Sequence, residues 1–240
     1  MSVVGLIRMG DNTLVLGQRV SEWCGHAPAL EEDIALANTA LDLIGQTQLW
    51  LDLAAKREGL GRDADTLAYH RDAWDFRNLL LVEQPNRDFG VTMMRQFLFD
   101  TWHLEALKAL SQHADVDISA IAQKSAKEVT YHRERSTDMV IALGDGTNES
   151  QRRMQAALIR LYPYVGEMFT SDEDDLIDVA ALRPSFEAHL NATLAEATLT
   201  RPENDFAHQG GKTGARHSEH LGHILATMQS LPRSFPDAKW

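Results

Sequence analysis

Apolar and small residues recur every three or four positions along most of the chain. In the segment 118–143, for example, they fall at Ile118, Ile121, Ala122, Ser125, Val129, Val140 and Leu143, with His132 on the same stripe. Side chains at this spacing share one face of a helix. Alternating runs of Val, Ile and Thr bounded by hairpin turns, which indicate strands, are nearly absent. The pattern therefore predicts an all-α protein.

Helix start and stop signals divide the pattern into segments. Pro28 and the acidic residues after it suit the first turn of a long helix, and Gly59 suits its end. The predicted helices cover 11–26, 28–59, 65–82, 89–113, 118–143, 149–169 with a kink at Pro163, 186–197 and 218–231. Two helical hairpins joined by a crossover over 59–88, with extra C-terminal helices, make a four-helix bundle in a single domain, 1–240.

Composition narrows the class of partner and the compartment. The chain has 35 acidic and 23 basic residues and a net charge of -12, which argues against nucleic acid and anionic membrane as partners. The lone Cys24 excludes an internal disulfide and zinc sites built on several cysteines. The start does not resemble a signal peptide, and no apolar run approaches the roughly 20 residues of a membrane span. A soluble cytoplasmic protein is expected.

Two C-terminal motifs suggest chemistry at first sight. "QGGKTGARH" (209–217) resembles a phosphate loop, but Phe206 stands where that pattern needs a glycine, so a flexible loop is expected. In "RHSEHLGH", His217, His220 and His223 rotate around a helix rather than share a face, so surface or interface histidines are expected. No Gly-x-Ser-x-Gly elbow supports a serine hydrolase.

"FLFDTWHLEAL" (97–107) places Asp100 and His103 side by side on a helix. The two residues could be half of a metal site or two polar groups that pair with each other. A carboxylate-bridged di-metal bundle needs one carboxylate from each of two helices and Glu-x-x-His from each of two others. Glu22 and Asp100 suit the carboxylate positions, but Glu-x-x-His occurs nowhere in the chain.

Several longer motifs carry a resemblance to a known family. "LGQRVSEWCGHAPALEEDIALAN", "NLLLVEQPN", "DTWH" and "EHLG" resemble the structural subunits of phenylacetyl-CoA epoxidase, a multicomponent bacterial oxygenase of phenylacetate breakdown. The resemblance spans essentially the whole chain. It implies a ferritin-like fold and a sister subunit of the same fold that holds a di-iron centre.

The resemblance also assigns the sister subunit's six ligand positions to this chain. They fall on Glu22, Leu43, Gln46, Asp100, Val129 and His132. Aliphatic residues thus take both presumed bridging positions, and an amide replaces one imidazole. The implied outcome is a chain with no catalytic residue, no metal and no cofactor, in which Glu22, Asp100 and His132 satisfy one another. His103 is off the pattern and is expected to pair with a neighbouring polar group.

Three functions remain open from the sequence. The first is a non-catalytic scaffold that pairs with the di-iron subunit and forms a homodimer when isolated. The second is a self-sufficient metal-dependent oxidase. The third is a binding module for a small ligand such as an acyl-CoA, which the acidic balance disfavours because a phosphate site needs clustered Arg or Lys.

Overall fold

The computed structural model describes residues 2–236 and 238. Every regular element in that part of the chain is helical, so the predicted all-α class is confirmed. The α-helices are α1 (Val3–Ser21), α2 (Leu30–Glu58), α3 (Ala64–Tyr69), α4 (Leu80–Glu83), α5 (Phe89–Leu110), α6 (Val116–Gly144), α7 (Asn148–Leu161), α8 (Arg183–Glu196), α9 (Glu219–Met228) and α10 (Ser230–Ser234). Short 3₁₀ segments cover Ala73–Asp75, Tyr162–Phe169 and Ala180–Leu182.

The chain forms two compact units. Unit 1 combines the residues up to Pro85 with those from Gly210 onward, and unit 2 runs from Asn86 to Gln209. Each unit contains one of the predicted helical hairpins, α1 with α2 in unit 1 and α5 with α6 in unit 2. The assignment of the whole chain to one domain stays a prediction.

In unit 1, α1 and α2 pack closely along their length. A Cβ atom at Gly10 would lie 2.6 Å from Leu51 Cδ2, so a residue without a side chain is needed at this contact. Helix α1 begins at Val3, eight residues before the predicted start, with Ser2 as its N-cap. The polar residues Asp11 and Asn12, where the predicted helix begins, lie buried inside α1.

The crossover of unit 1 is not the single helix predicted over 65–82. It breaks into α3, a 3₁₀ turn and α4, with extended backbone between them. Two buried side chains of α1 hydrogen-bond to the backbone of the crossover. Asn12 Oδ1 accepts from the Leu79 amide at 2.8 Å, and Arg19 Nη2 donates to the Glu83 carbonyl at 2.8 Å. Tertiary hydrogen bonds thus replace helical ones, and the prediction from local spacing was wrong.

The glycine-rich segment "QGGKTGARH" lies against the crossover instead of forming the flexible loop that was expected. A Cβ atom at Gly211 would lie 2.5 Å from the carbonyl oxygen of Asn78. Arg8 of α1 donates through Nη2 to the carbonyl of Lys212 at 3.0 Å. Contacts of this kind hold the segment in place.

In unit 2, α5 and α6 form the second hairpin. Asp88 caps α5 by accepting from the Val91 amide at 2.9 Å, and Asp115 caps α6. Helix α5 is buried on nearly all sides. Helix α6 buries one face, which comprises Ile118, Ala122, Ser125, Val129, His132, Ser136 and Val140 and matches the stripe identified in the sequence.

The remaining helices follow the predicted order with shifted ends. The kink expected near Pro163 is observed as a change from α7 to a 3₁₀ segment at Tyr162. Helix α8 begins at Arg183, three residues before the predicted start. None of the described helices combines the length and the apolar character that are needed to cross a bilayer.

Candidate functional site

The six positions assigned by the resemblance fall in both units. Glu22, Leu43 and Gln46 belong to unit 1, whereas Asp100, Val129 and His132 belong to unit 2. The predicted hydrogen bonds of Glu22 to Asp100 and His132 therefore stay a prediction, and the hydrogen bonds described for Asp100 come from Gln96 and Ser136 instead of from His132.

Glu22 follows α1 directly as its C-cap residue. Its carboxylate pairs with Arg19 Nη1 at 2.9 Å, and its side chain is 46% exposed. Arg19 itself is buried and also donates to the carbonyl of Glu83. Glu22 is thus a half-exposed partner of an arginine that anchors the crossover.

Leu43 and Gln46 lie one turn apart on the buried face of α2. Leu43 is 0% exposed and Gln46 is 1% exposed. A Cβ atom at Gly17 of α1 would lie 3.4 Å from Leu43 Cβ, so the two helices approach closely here. One turn further on, Thr47 Oγ1 and Thr13 Oγ1 hydrogen-bond across the hairpin at 2.8 Å. The Leu43 position is filled by close packing between aliphatic and small residues.

Asp100 is fully buried in α5 and makes two hydrogen bonds. Gln96 Nε2 donates to Oδ1 at 2.7 Å, and Ser136 Oγ of α6 donates to Oδ2 at 3.0 Å. Burial raises the pKa of the Asp100 carboxyl to about 6, against the opposing influences of the His132 charge and of these two hydrogen bonds. The structure thus places Asp100 and His132 in one electrostatic neighbourhood.

Val129 and His132 lie one turn apart on the buried face of α6. Val129 is 0% exposed and His132 is 2% exposed. With Asp100 nearby, unit 2 keeps one carboxylate and one imidazole of the expected ligand set. The aliphatic Val129 beside them offers no donor atom to a metal.

His103 departs from its expected role as the partner of a polar neighbour. The residue is fully buried, and neither ring nitrogen hydrogen-bonds to any described residue. Its ring packs against Phe99, with centroids 4.9 Å apart, and stacks on Trp102 at 6.3 Å. Burial, and then the charge of His132, lowers the pKa of His103 to about 3. The imidazole is therefore a neutral member of an aromatic cluster.

A buried polar cluster in unit 1 was missed by the sequence analysis. Glu83 Oε1 lies 2.6 Å from His217 Nδ1 and accepts from Asn78 Nδ2 at 2.9 Å. Its Oε2 atom accepts from the amide and the hydroxyl of Ser218 at 2.7 and 2.6 Å. The signal for it was a single Glu at the end of the apolar run "NLLLVE". The side chain of His217 is buried within unit 1, so the expectation of a surface or interface histidine was wrong for this residue.

This Ser, His and Glu set is not a catalytic triad. In a triad the histidine lies between the hydroxyl and the carboxylate, so that it can accept the hydroxyl proton. Here Ser218 and His217 both contact Glu83, and His217 Nε2 faces the carbonyl of Phe76 at 3.2 Å. The cluster attaches the C-terminal segment to the crossover.

The donor set does not fit a di-iron centre. Two divalent cations need about four carboxylates and two imidazoles in such bundles. Leu43 and Val129 supply no donor atom, and Asp100 already accepts two hydrogen bonds. Among the described residues, no group of three or more His, Cys, Asp or Glu side chains is arranged to hold a metal ion. We therefore derive no chemical step through a metal in this chain.

Comparison with known proteins bears on these observations. The family model described as "Phenylacetic acid catabolic protein" matches residues 2–240. One subunit of the 1,2-phenylacetyl-CoA epoxidase of Escherichia coli (strain K12) is 45% identical over 242 residues, which cover 98% of this chain and 97% of that protein. The resemblance stated from the motifs is confirmed, and with it the ferritin-like class. The chain belongs to the phenylacetic acid catabolic protein family.

Proposed function

We propose that this chain is a non-catalytic structural subunit of a phenylacetyl-CoA epoxidase. In this role it pairs with a separate di-iron catalytic subunit, stabilises it and shapes its pocket, and it contributes no ligand to iron. The chain itself has no catalytic residue and no cofactor in this proposal. A cytoplasmic location is part of it, and the exposed free thiol of Cys24 agrees with a reducing compartment.

The observation that carries the proposal is the burial of Leu43 and Val129. Both aliphatic side chains are 0% exposed at the positions where the resemblance places bridging carboxylates. A buried hydrocarbon neither neutralises a cation nor accepts a proton. Each instead stabilises its helical hairpin by removing apolar surface from water, which contributes roughly 1.5–3 kcal/mol for a fully buried side chain of this size.

The polar residues that remain act as packing elements. Asp100 joins α5 to α6 through Ser136, and its carboxylate is screened from solvent. Two side-chain donors satisfy the buried acceptor atoms of Asp100, so the packing accounts for the position of this carboxyl group without a metal. This supports the scaffold over the self-sufficient oxidase.

An exposed apolar face on α2 supports pairing with another subunit. Leu30, Ile34 and Leu41 are 72%, 53% and 70% exposed and lie on one side of the helix. Gly45 continues this face, and a Cβ atom there would meet nothing within 4 Å. Contiguous apolar patches on a helix are typical of protein interfaces. We propose that this α2 face contacts the catalytic subunit and that the isolated chain dimerises through part of it.

Co-expression with the catalytic subunit tests the proposal. The double variant Ile34→Asp/Leu41→Asp places two charges on the α2 face without disturbing the core. Leu60→Asp is a matched control, because Leu60 is also 70% exposed but lies beyond the end of α2. The double variant should lose co-purification with the catalytic subunit and lose epoxidation, while the control keeps both.

Two results would contradict the proposal. One is a catalytic subunit that is fully stable and active with its reductase in the absence of this chain. The other is unchanged co-purification of the double variant, which would remove the α2 face from the interface. Circular dichroism and melting temperature should show that each variant is folded.

A further inference from the structure

A basic cavity in unit 2 stands out on an acidic chain. The whole chain carries a net charge of -12, yet one cavity of about 420 Å³ is lined by four arginines and a single carboxylate. The arginines are Arg87, Arg152, Arg153 and Arg160, and the carboxylate is that of Asp88. Such a concentration of like charge is unfavourable unless anions balance it.

Two helices and a turn build this arginine cavity. Arg153 and Arg160 lie two turns apart on one face of α7, and Arg152 is next to them. Ala156 and Ala157 lie between them, and their small side chains leave the depression open. Arg87 enters from the turn before α5, where its backbone adopts a left-handed φ of 52°. This conformation is unfavourable for arginine and positions its side chain at the cavity.

Two of the four guanidinium groups already form ion pairs with a carboxylate of the chain, that of Glu149. Arg152 Nη2 and Arg153 Nε contact the same oxygen of Glu149 at 2.8 and 2.7 Å. Hydrogen bonds from Arg152 and then Arg153 lower the pKa of Glu149 to about 2. The Arg153–Asp88 pair is longer, at 3.9 Å. The Asp88 carboxylate already caps the N-terminus of α5. The backbone amides at that helix end therefore form no part of the proposed site.

The other two guanidinium groups are available to a ligand. Within the described residues, the side chains of Arg87 and Arg160 form no hydrogen bond and no ion pair. Guanidinium binds phosphate oxygens through two parallel N–H donors. The two available guanidinium groups line the cavity, and the guanidinium groups of Arg152 and Arg153 beside them are shared with Glu149. This arrangement suits an anion that carries more than one negative charge.

We propose that the arginine cavity binds a phosphate-bearing small molecule of the diphosphate or nucleotide class. Its volume falls in the range of about 300–1,000 Å³ that is typical of small-ligand sites. All four arginines are exposed at the rim of this depression. An acidic protein segment is a less suitable ligand, because a side-chain carboxylate brings one charge to each residue, whereas a diphosphate carries several negative charges on two adjacent groups. The cavity supplies the clustered arginines that a phosphate site needs and that the acidic composition disfavours. This inference concerns the isolated chain and is independent of pairing with a catalytic subunit.

Calorimetric titration of the full chain tests the site with three probes: inorganic pyrophosphate, CoA and an oligoglutamate peptide. The test variant is Arg87→Gln/Arg160→Gln, which removes two charges without breaking any contact among the described residues. The matched control is Lys124→Gln/Arg216→Gln, because both of its residues are exposed, lie outside the cavity and carry the same charge. Melting temperatures should be equal for the three proteins.

The wild type should bind pyrophosphate or CoA, and the test variant should bind it about tenfold or more weakly, because hydrogen bonds between charged groups are lost. The control should bind as the wild type does. Tighter binding of CoA than of pyrophosphate would identify a nucleotide-carrying ligand within the same class. Three results would overturn the proposal: no binding of either phosphate probe, equal weakening in the control, or oligoglutamate binding as tight as that of the phosphate probes. The last would make the cavity a protein-docking surface.

Discussion

Ser136 Oγ on α6 donates a hydrogen bond of 3.0 Å to Asp100 Oδ2 on α5, and both side chains are fully buried. This bond joins the two long helices of unit 2 at the position where the family resemblance places a metal ligand. A carboxylate with defined protein donors is part of the packing, so its removal should lower the free energy of unfolding.

Asp100→Ala should lower the free energy of unfolding by about 1–3 kcal/mol, because the Gln96 amide and the Ser136 hydroxyl lose a buried acceptor. Urea denaturation followed by circular dichroism measures it. Asp138→Ala, which removes an exposed carboxylate from α6, is the control and should stay within about 0.5 kcal/mol of the wild type. Equal effects of the two substitutions would show that the buried hydrogen bonds contribute nothing.

His103 should make the stability sensitive to acid. Its pKa is about 3 in the folded protein against an ordinary value of 6.5, so only the unfolded chain takes up a proton in between. The stabilisation is complete above pH 6.5 and is lost as the pH falls towards 3. Between neutral pH and pH 5 the loss amounts to about 2 kcal/mol. His103→Leu should remove this dependence, and urea midpoints over a pH series should show it.

Asp100 contributes to the same series with the opposite sign. Its pKa is raised from 3.8 to about 6, so its contribution is complete below pH 3.8 and is lost as the pH rises through 6. The Asp100 effect is present in both the wild type and His103→Leu. The difference between their free energies of unfolding at each pH therefore reports the contribution of His103 alone. The same substitution at the exposed His223 is the control. A difference curve that is flat for His103→Leu would contradict the neutral, buried imidazole.

Purified protein should carry well under one iron per chain by elemental analysis. Leu43 and Val129 offer no ligand atom, and both are fully buried. Near two irons per chain would contradict the structural role that we propose. As a further check, Val129→Glu should lower the melting temperature of the metal-free protein, since it buries a carboxylate without a partner. Val129→Ile is the matched apolar control.

Glu83→Ala should destabilise unit 1 by about 3 kcal/mol or more, because it leaves Asn78, His217 and Ser218 without their shared charged acceptor. It should also make the segment 210–216 sensitive to limited proteolysis. Glu219→Ala, an exposed carboxylate next to Ser218, is the control. A segment as resistant as in the wild type would show that Glu83 does not hold it.

Gly211→Ala and Gly222→Ala should act in opposite directions. A Cβ atom at Gly211 would lie 2.5 Å from the backbone oxygen of Asn78, so the melting temperature should fall. Gly222 lies inside α9 with nothing within 4 Å of its Cβ position, so alanine should stabilise the helix by about 0.5–1 kcal/mol. A harmless Gly211→Ala would contradict the close contact between the C-terminal segment and the crossover.

The long helices were predictable because their spacing alone determines which face is buried. The stripe on α6 and the caps before α5 and α6 follow from local sequence. The crossover was not predictable in this way. Its backbone partners, such as Asn12 and Arg19, lie more than 60 residues away in the chain, and an apolar run does not reveal them.

The candidate site shows the same limit. The resemblance predicts that Asp100 and His132 are remnants of a ligand set, and the structure places the two residues in one electrostatic neighbourhood of unit 2. They did not reveal that Gln96 and Ser136 are the donors to Asp100, nor that His103 lies among aromatic rings. Hydrogen-bond partners across a hairpin depend on register, which residue types alone do not define.

The contact between Glu83 and Ser218 has a consequence for the order in which the chain is made. A ribosome that has translated residue 209 has supplied all of unit 2, but unit 1 still lacks the segment that covers its crossover. Unit 1 therefore cannot be completed until the segment from Gly210 onward emerges. Chains that terminate within that segment should leave the crossover uncovered, and we expect cellular proteases to degrade them.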